Sequence, residues 1–243
     1  MSYKFDVGRA LKLSGYNGQF KDSLKRVLKE INRDKNIVNI KEASYLLATA
    51  KVESDYSLQR WEADYLCGMR GVAYVNKPCQ KALNYYRSTS GGKSNYYTKG
   101  TDSQGLPYFG RGLIQITNKY NYEKYGDIIG EDLVKDADKA LEKKNSYKIA
   151  SEYLKLKTFP FVNRGEMYQA RKSVNGSNKG EANVNKEYER WLKILNLSKK
   201  DDRLGIFKKT AKGSGKIESV AVLIIAGSVV ALGVALYNIY RKK

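Results

Sequence analysis

The chain contains no histidine. Without an imidazole there is no Ser–His or Cys–His nucleophile pair and no histidine-ligated zinc, so chemistry here must run on carboxylates, amides, hydroxyls and cations. Cysteine is almost as scarce: Cys67 and Cys79 are the only two among 243 residues, and they form no CxxC pair. Neither a metal site nor a cofactor is expected from such a set. The short gap between them could close as a disulfide, and two inert thiols fit equally well. Tryptophan is rare, with 2 residues, against 20 tyrosines. Tyrosine-rich surfaces suit stacking on flat ligands, and they also suit ordinary half-buried packing.

Acidic side chains are in deficit. Asp and Glu number 25 against 45 Lys and Arg, a formal net charge of +20. The stretch from residue 201 onward holds 8 basic and 3 acidic residues, which leaves +15 on residues 1–200, so the excess is not only a basic tail. A field of this sign attracts a polyanion: nucleic acid, anionic lipid or an anionic cell-wall polymer. No nucleic-acid motif accompanies the charge, and a nucleic-acid partner is not expected.

The amino terminus lacks a basic patch followed by an apolar core, so no signal peptide is read there. Val220 to Tyr240 is different: 21 residues pass without a charge. At about 1.5 Å per residue they cover a hydrocarbon core of about 30 Å. Tyr237 and Tyr240 fall at interfacial positions, and basic residues lie on both sides, so orientation is left open. Gly227, Ala231 and Ala235 repeat at the four-residue spacing of a helix-pairing face in the membrane. The expected organisation is a catalytic domain over 1–197, a polar basic linker over 198–219 with Gly213-Ser214-Gly215, a transmembrane helix over 220–240, and a basic tail over 241–243.

Within the domain, apolar spacing predicts helices over 21–33 (Leu24, Val27, Leu28, Ile31), from Asn39 onward (Ala43, Leu46, Leu47, Ala50), from Thr117 towards Gly126, over 145–157 before Pro160, and along Val184, Tyr188, Trp191, Leu192 and Leu195. Glu42, three residues after Asn39, fits a capping box. Residues 68–107 read as mostly loops, and Leu113 to Thr117 as a short strand. The fold class is mainly α, α+β with a small β element.

Glu53 continues the apolar stripe of the second helix, which places a carboxylate on its buried side near its end. Glu62 follows nine residues later. At about 100° per residue, one continuous helix would turn the two to opposite faces, so the helix must break between them; Asp55-Tyr56-Ser57 is a suitable place. Two carboxyl groups facing one cleft are the usual equipment for glycosidic bond cleavage, one as acid and one as base or nucleophile. Burial of Glu53 would favour its protonated form.

Four stretches resemble the family-19 glycoside hydrolases, which include plant-type chitinases and many bacteriophage endolysins. Leu46 to Ser54 is similar to the helix bearing the catalytic acid, and Arg60-Trp61-Glu62 stands where the family has its second Glu. Tyr108-Phe109-Gly110-Arg111-Gly112-Leu113-Ile114-Gln115-Ile116-Thr117 with Asn121-Tyr122 resembles the most recognisable segment. Ser173-Val174-Asn175-Gly176 is similar to the Asn-Gly-Gly segment. The resemblance covers about residues 40–197. Val52 replaces a usual His, and Ser177 the second Gly of that motif.

The resemblance implies a lysozyme-like two-lobed catalytic domain and an inverting mechanism. Glu53 would be the acid and Glu62 the base. Tyr108, Gln115, Thr117, Asn121 and Asn175 would contact substrate or hold the catalytic water. Apart from the resemblance, the residues themselves suggest Arg111 as structural support for the site, and they leave an alternative in which Glu53 is a buried carboxylate paired with a cation such as Arg111 and Glu62 a solvated loop residue. With the charge and the apolar segment, the expectation is a membrane-anchored, peptidoglycan-cleaving glycosidase of a phage, used in host entry or lysis. Its anchor would lie in a virion membrane or the host inner membrane. A lytic transglycosylase, a chitinase acting on a chitin-like polysaccharide, and an inactive sugar-binding membrane protein are the alternatives.

Overall fold

The computed structural model describes residues 3–74, 77–87 and 100–199. Its helices are α1 (Val7–Ser14), α2 (Lys21–Ile31), α3 (Ile40–Ser54), α4 (Gln80–Arg87), α5 (Lys119–Ile129), α6 (Lys143–Lys157), α7 (Phe159–Arg164), α8 (Met167–Asn175) and α9 (Glu181–Leu197). Single 3-10 turns occupy Asp64–Cys67 and Ala137–Leu141.

The predicted apolar faces are the buried ones. Leu24, Val27, Leu28 and Ile31 of α2 have no solvent exposure, and neither do Ala43, Leu46, Leu47 and Ala50 of α3. Asn39 caps α3 by accepting from the Glu42 backbone N–H at 3.0 Å. The Glu42 carboxylate reaches past the expected cap donor to the Val38 N–H at 2.8 Å and takes the Asn163 side-chain amide at 2.9 Å. α3 is buried on more than one stripe, from Glu42 through Ala50, because it is the central helix, packed along α9 and touching α6 and α7. Its alanines and serines let those neighbours approach closely.

The break after α3 sits where the carboxylate argument requires it. Asp55 and Tyr56 take the left-handed conformation, at φ 52° and 67°. Tyr56 is fully buried, and Trp191 of α9 donates from Nε1 to its hydroxyl at 3.0 Å. The two rings meet edge to face, as do Tyr16 and Tyr56.

Three expectations about elements need correction. Leu113 to Thr117 is a turn, and among the described residues β structure is confined to isolated bridges, including Trp61–Arg111 and Arg111–Ile116. Gly112 at φ +80° and Gln115 at φ 57° are incompatible with an extended run. α5 passes through Gly126 and ends at Gly130. α1, α7 and α8 were not anticipated; α7 carries Pro160 in its first turn, where a missing N–H costs nothing.

The large core gathers α2, α3, α5, α6 and α9. A separate aromatic cluster, built on Trp61, Tyr74, Tyr86 and Phe109, lies beneath the Glu62 segment. A disulfide between Cys67 and Cys79 closes its edge and settles the alternative left open by spacing. A third cluster joins Tyr45 and Ala48 of α3 to Val162, Ala170, Val184 and Tyr188.

The packed unit runs two residues past the expected boundary at 197. Ser198 is fully buried, its carbonyl accepts from the Asp6 N–H at 2.7 Å, and Lys199 bridges to Phe5. The remaining linker, the apolar segment 220–240 and the tail 241–243 lie outside the described residues. Among the described residues no helix is long and apolar enough to cross a membrane.

Candidate active site

Glu53 occupies the last turn of α3. Its neighbour Ser54 is buried and donates to the Ala50 and Leu113 carbonyls at 3.0 and 2.9 Å, tying the helix end to the 111–116 turn. Leu113 is held in turn by Ser146 of α6, whose hydroxyl accepts the Leu113 N–H at 2.9 Å. Glu62 arrives on a short antiparallel pairing. Its N–H donates to the Gly110 carbonyl at 2.7 Å, the Gly110 N–H donates back to the Glu62 carboxylate at 3.1 Å, and the Gly112 N–H donates to the Arg60 carbonyl at 2.7 Å. Tyr86 donates its hydroxyl to the Glu62 carbonyl and stacks on Phe109, 4.2 Å between centroids. Thus Glu53 hangs from the main core, and Glu62 from the aromatic cluster.

Both carboxylates line one cleft of about 780 Å³, with Gln115, Thr117, Asn121 and Asn175 on its walls. That volume is within the usual range of ligand clefts, about 300–1,000 Å³. Gln115 donates from its side-chain nitrogen to the Arg60 and Gly112 carbonyls at 2.9 and 2.8 Å, which locks the two chain segments together. Thr117 donates to the Gln115 carbonyl at 3.0 Å, and Asn121 donates to the Thr117 carbonyl at 2.8 Å. Asn175 donates to the Lys179 carbonyl at 3.2 Å.

Gly110 suits this crowding. A Cβ there would lie 3.1 Å from the Gln115 side-chain oxygen and 3.3 Å from the Glu62 carboxylate. Backbone strain also collects here. Ala63, Gln115 and Asn118 hold positive φ without being glycine, and all three line the cleft. Such conformations cost about 1–3 kcal/mol each and persist only where the surroundings enforce them.

Tyr108 stands apart from the residues assigned to substrate. It is 2 % exposed, and its hydroxyl donates to the Val134 and Thr101 carbonyls at 2.8 and 3.2 Å. It is a packing residue behind the site, not a lining one. Arg111 is fully buried, and its partner is Asp138, not Glu53: Nε donates to that carboxylate at 2.9 Å. Its Nη1 donates to the Tyr122 hydroxyl at 3.0 Å, and the guanidinium lies 3.6 Å from the Phe109 ring centroid. It braces the 107–111 segment from behind.

The partner of Glu53 is Arg171 of α8, with Nη1 donating to the carboxylate at 2.5 Å. Arg171 also holds the Lys179 carbonyl at 2.8 Å, so it joins the acid to the loop bearing Asn175. The surroundings of Glu53 are therefore an ion pair at the cleft wall, with the carboxylate side chain 18 % exposed, and not the closed apolar pocket its stripe suggested. Nothing in the sequence signalled Arg171, because α8 lacks a clear apolar repeat. Arg60, Tyr65, Tyr120, Tyr153, Lys157 and Lys172 complete the lining unannounced. Among the described residues no group of three His, Cys, Asp or Glu side chains could hold a metal ion.

The glycoside hydrolase family 19 model, described as class I chitinase, matches residues 70–154. That span includes Gln115, Thr117 and Asn121 and excludes Glu53, Glu62 and Asn175. Chitinase 11 of Oryza sativa subsp. japonica is 59 % identical over 32 residues, covering 13 % of this chain and 12 % of that protein. Acidic endochitinase Q of Nicotiana tabacum is 51 % identical over 37 residues, 15 % of each. The chain thus aligns with less than a sixth of the length of these curated relatives. Chitinase C of Streptomyces griseus HUT6037 superposes with a TM-score of 0.51 at 17 % identity, covering 79 % of this chain and 92 % of that one. A mutant of chitinase C gives 0.50 at 17 %, covering 81 % and 95 %. At that identity the likeness concerns the fold. Residues 70–154 thus match the family-19 glycoside hydrolase model, and the described fold resembles that of chitinase C.

Proposed function

We propose that the chain is a glycosidase that cleaves the β-1,4-linked glycan of peptidoglycan by general acid and base catalysis. The observation that carries this is the meeting of Glu53 and Glu62 in one polar cleft with Gln115, Thr117, Asn121 and Asn175. Glu53, in its protonated form, gives its proton to the leaving glycosidic oxygen and becomes the carboxylate that Arg171 holds. Glu62, oriented by the Gly110 N–H, takes a proton from a water that attacks the anomeric carbon from the opposite face, and Thr117 helps hold that water. The product is a reducing end of inverted configuration.

The net charge of +20 supports a wall polymer bearing acidic groups over a neutral chitin. The uncharged segment 220–240 supports attachment to a lipid membrane. Both fit a phage lytic enzyme held at a virion or host membrane and used in entry or lysis.

The test is mass spectrometry of fragments released from purified peptidoglycan. Fragments with free reducing ends are expected, with Glu53→Gln and Glu62→Gln each lowering release about 10²–10⁴-fold. Anhydro-sugar ends, together with a fully active Glu62→Gln variant, would replace the hydrolase with a transglycosylase. Cleavage of chitin but not of peptidoglycan would make it a chitinase.

A further inference from the structure

The cleft also carries charges that the acid–base pair does not use. Lys157, the last residue of α6, and Lys172, in the last turn of α8, both line the cleft. Two bonds clamp these helix ends together. Tyr153 donates to the Ser173 carbonyl at 2.9 Å, and the Thr158 and Ser173 hydroxyls lie 2.8 Å apart. Each lysine is the immediate predecessor of one of those hydroxyl residues, so the clamp ties together the two helix ends that bring Lys157 and Lys172 to the same cleft.

The other lining charges are accounted for. Glu53 pairs with Arg171 at 2.5 Å, and Arg60 with Asp64 at 3.2 Å. Lys157 and Lys172 form no ion pair among the described residues. Lys157 instead lies 4.5 Å from the Tyr153 ring centroid. That ring packs on Tyr125 at 5.2 Å, and Lys124 lies over Tyr125 at 5.8 Å. Burial, and then the charge of Lys124, pull the Lys157 ammonium below the ordinary lysine range. An arriving anion would offset the repulsion from Lys124 and favour the charged ammonium. Tyr120, 65 % exposed, stands on the same cleft and offers a flat face to a sugar ring.

We propose that Lys157 and Lys172 form a carboxylate-recognising subsite, by which the cleft selects a glycan whose sugars carry acidic substituents over a neutral one. This rests on the glycan-cleaving reading of the same cleft and names what distinguishes its substrate. In peptidoglycan the substituent is the lactyl carboxylate on every second sugar, or the acidic peptide attached to it. Two ammonium groups without an anionic partner among the described residues provide the counter-charge: Lys157 is half-buried, where its charge is screened less than on an open surface, and Lys172 is exposed to an arriving ligand.

The experiment uses the full chain in detergent carrying Glu53→Gln. Calorimetry compares two probes: peptide-free strands of alternating N-acetylglucosamine and N-acetylmuramic acid, and the same strands with every carboxyl methyl-esterified. The free acid is expected to bind about tenfold or more tightly, a difference of about 1.4 kcal/mol. The preference should shrink as salt is raised, should fall towards parity with Lys157→Gln and Lys172→Gln together, and should survive the paired change to Arg. Equal binding of acid and ester by the parent chain would overturn the subsite, and so would a folded Gln pair that keeps the preference. Release of reducing ends from the same strands by the unsubstituted chain tests the reaction separately. Preference without cleavage leaves the subsite and removes the glycosidase; cleavage without preference does the reverse.

Discussion

Single atoms set the geometry of this cleft. Gly112 is the clearest case. Its φ of +80° disfavours any side chain, and a Cβ would lie 2.9 Å from the Ser146 hydroxyl and 3.0 Å from the Ala140 carbonyl. The first contact displaces the hydroxyl that holds Leu113, and the second is with backbone that cannot swing away. Gly112→Ala should therefore cost about 1–3 kcal/mol, from overpacking plus the left-handed penalty. Urea unfolding would measure it, and a midpoint equal to the parent's would refute the contact. The residue types at Gly110, Arg111 and Gly112 were legible as a motif, but their reasons were not. Arg111 is buried to brace Pro107, Phe109 and Tyr122 with Asp138, a partner 27 residues away.

At the scale of elements, amphipathic periodicity located α2, α3, α6 and α9 because each buries a regular face in the main core. It missed α1, α7 and α8, which are only 8, 6 and 9 residues long. Short helices complete too few turns to display a period, and they form because neighbours pack on them. The last element shows the same dependence. Ser198 and Lys199 look like linker, yet they close against Asp6 and Phe5 at the other end of the domain. A chain ending after Lys199 should be more stable than one ending after Leu197 by about 1–3 kcal/mol, the worth of two or three backbone and side-chain hydrogen bonds. Thermal unfolding of the two truncations checks this, and identical midpoints would return both residues to the linker.

For the whole molecule, the tyrosine content becomes a pH response. Burial pushes the phenols of Tyr3 and Tyr122 up to about 12, with Arg111 partly opposing the shift at Tyr122. Burial raises Tyr45, Tyr56, Tyr74 and Tyr147 as well. A pKa higher in the folded state than in the unfolded one means that the fold keeps the proton. This stability is fully present below pH 10 and is lost as pH rises towards 12. Alkaline unfolding should thus coincide with a steep rise in tyrosinate absorbance, whereas a smooth titration near pH 10 with unchanged circular dichroism would contradict it. The charge asymmetry and the segment 220–240 also act at this scale. Fused to a soluble reporter, residues 200–243 should carry it into the membrane fraction, and a reporter left in the supernatant would remove the anchor.

The sequence alone was enough for the long periodic helices and for the marked motifs. No histidine restricts the chemistry, apolar repeats mark the long helices, the polar break at Asp55 to Ser57 turns Glu62 back towards Glu53, and the Tyr108 to Thr117 motif points to the family. Only the tertiary structure decided which groups meet across the chain. Arg171 pairs with Glu53 over 118 residues and Arg111 with Asp138 over 27, Tyr108 faces inward, and the clamp between α6 and α8 joins the helix ends that bring Lys157 and Lys172 to one cleft. These contacts have no local period. They arise because a polar group withdrawn from water must find a partner, and the nearest one is supplied by packing rather than by sequence neighbourhood.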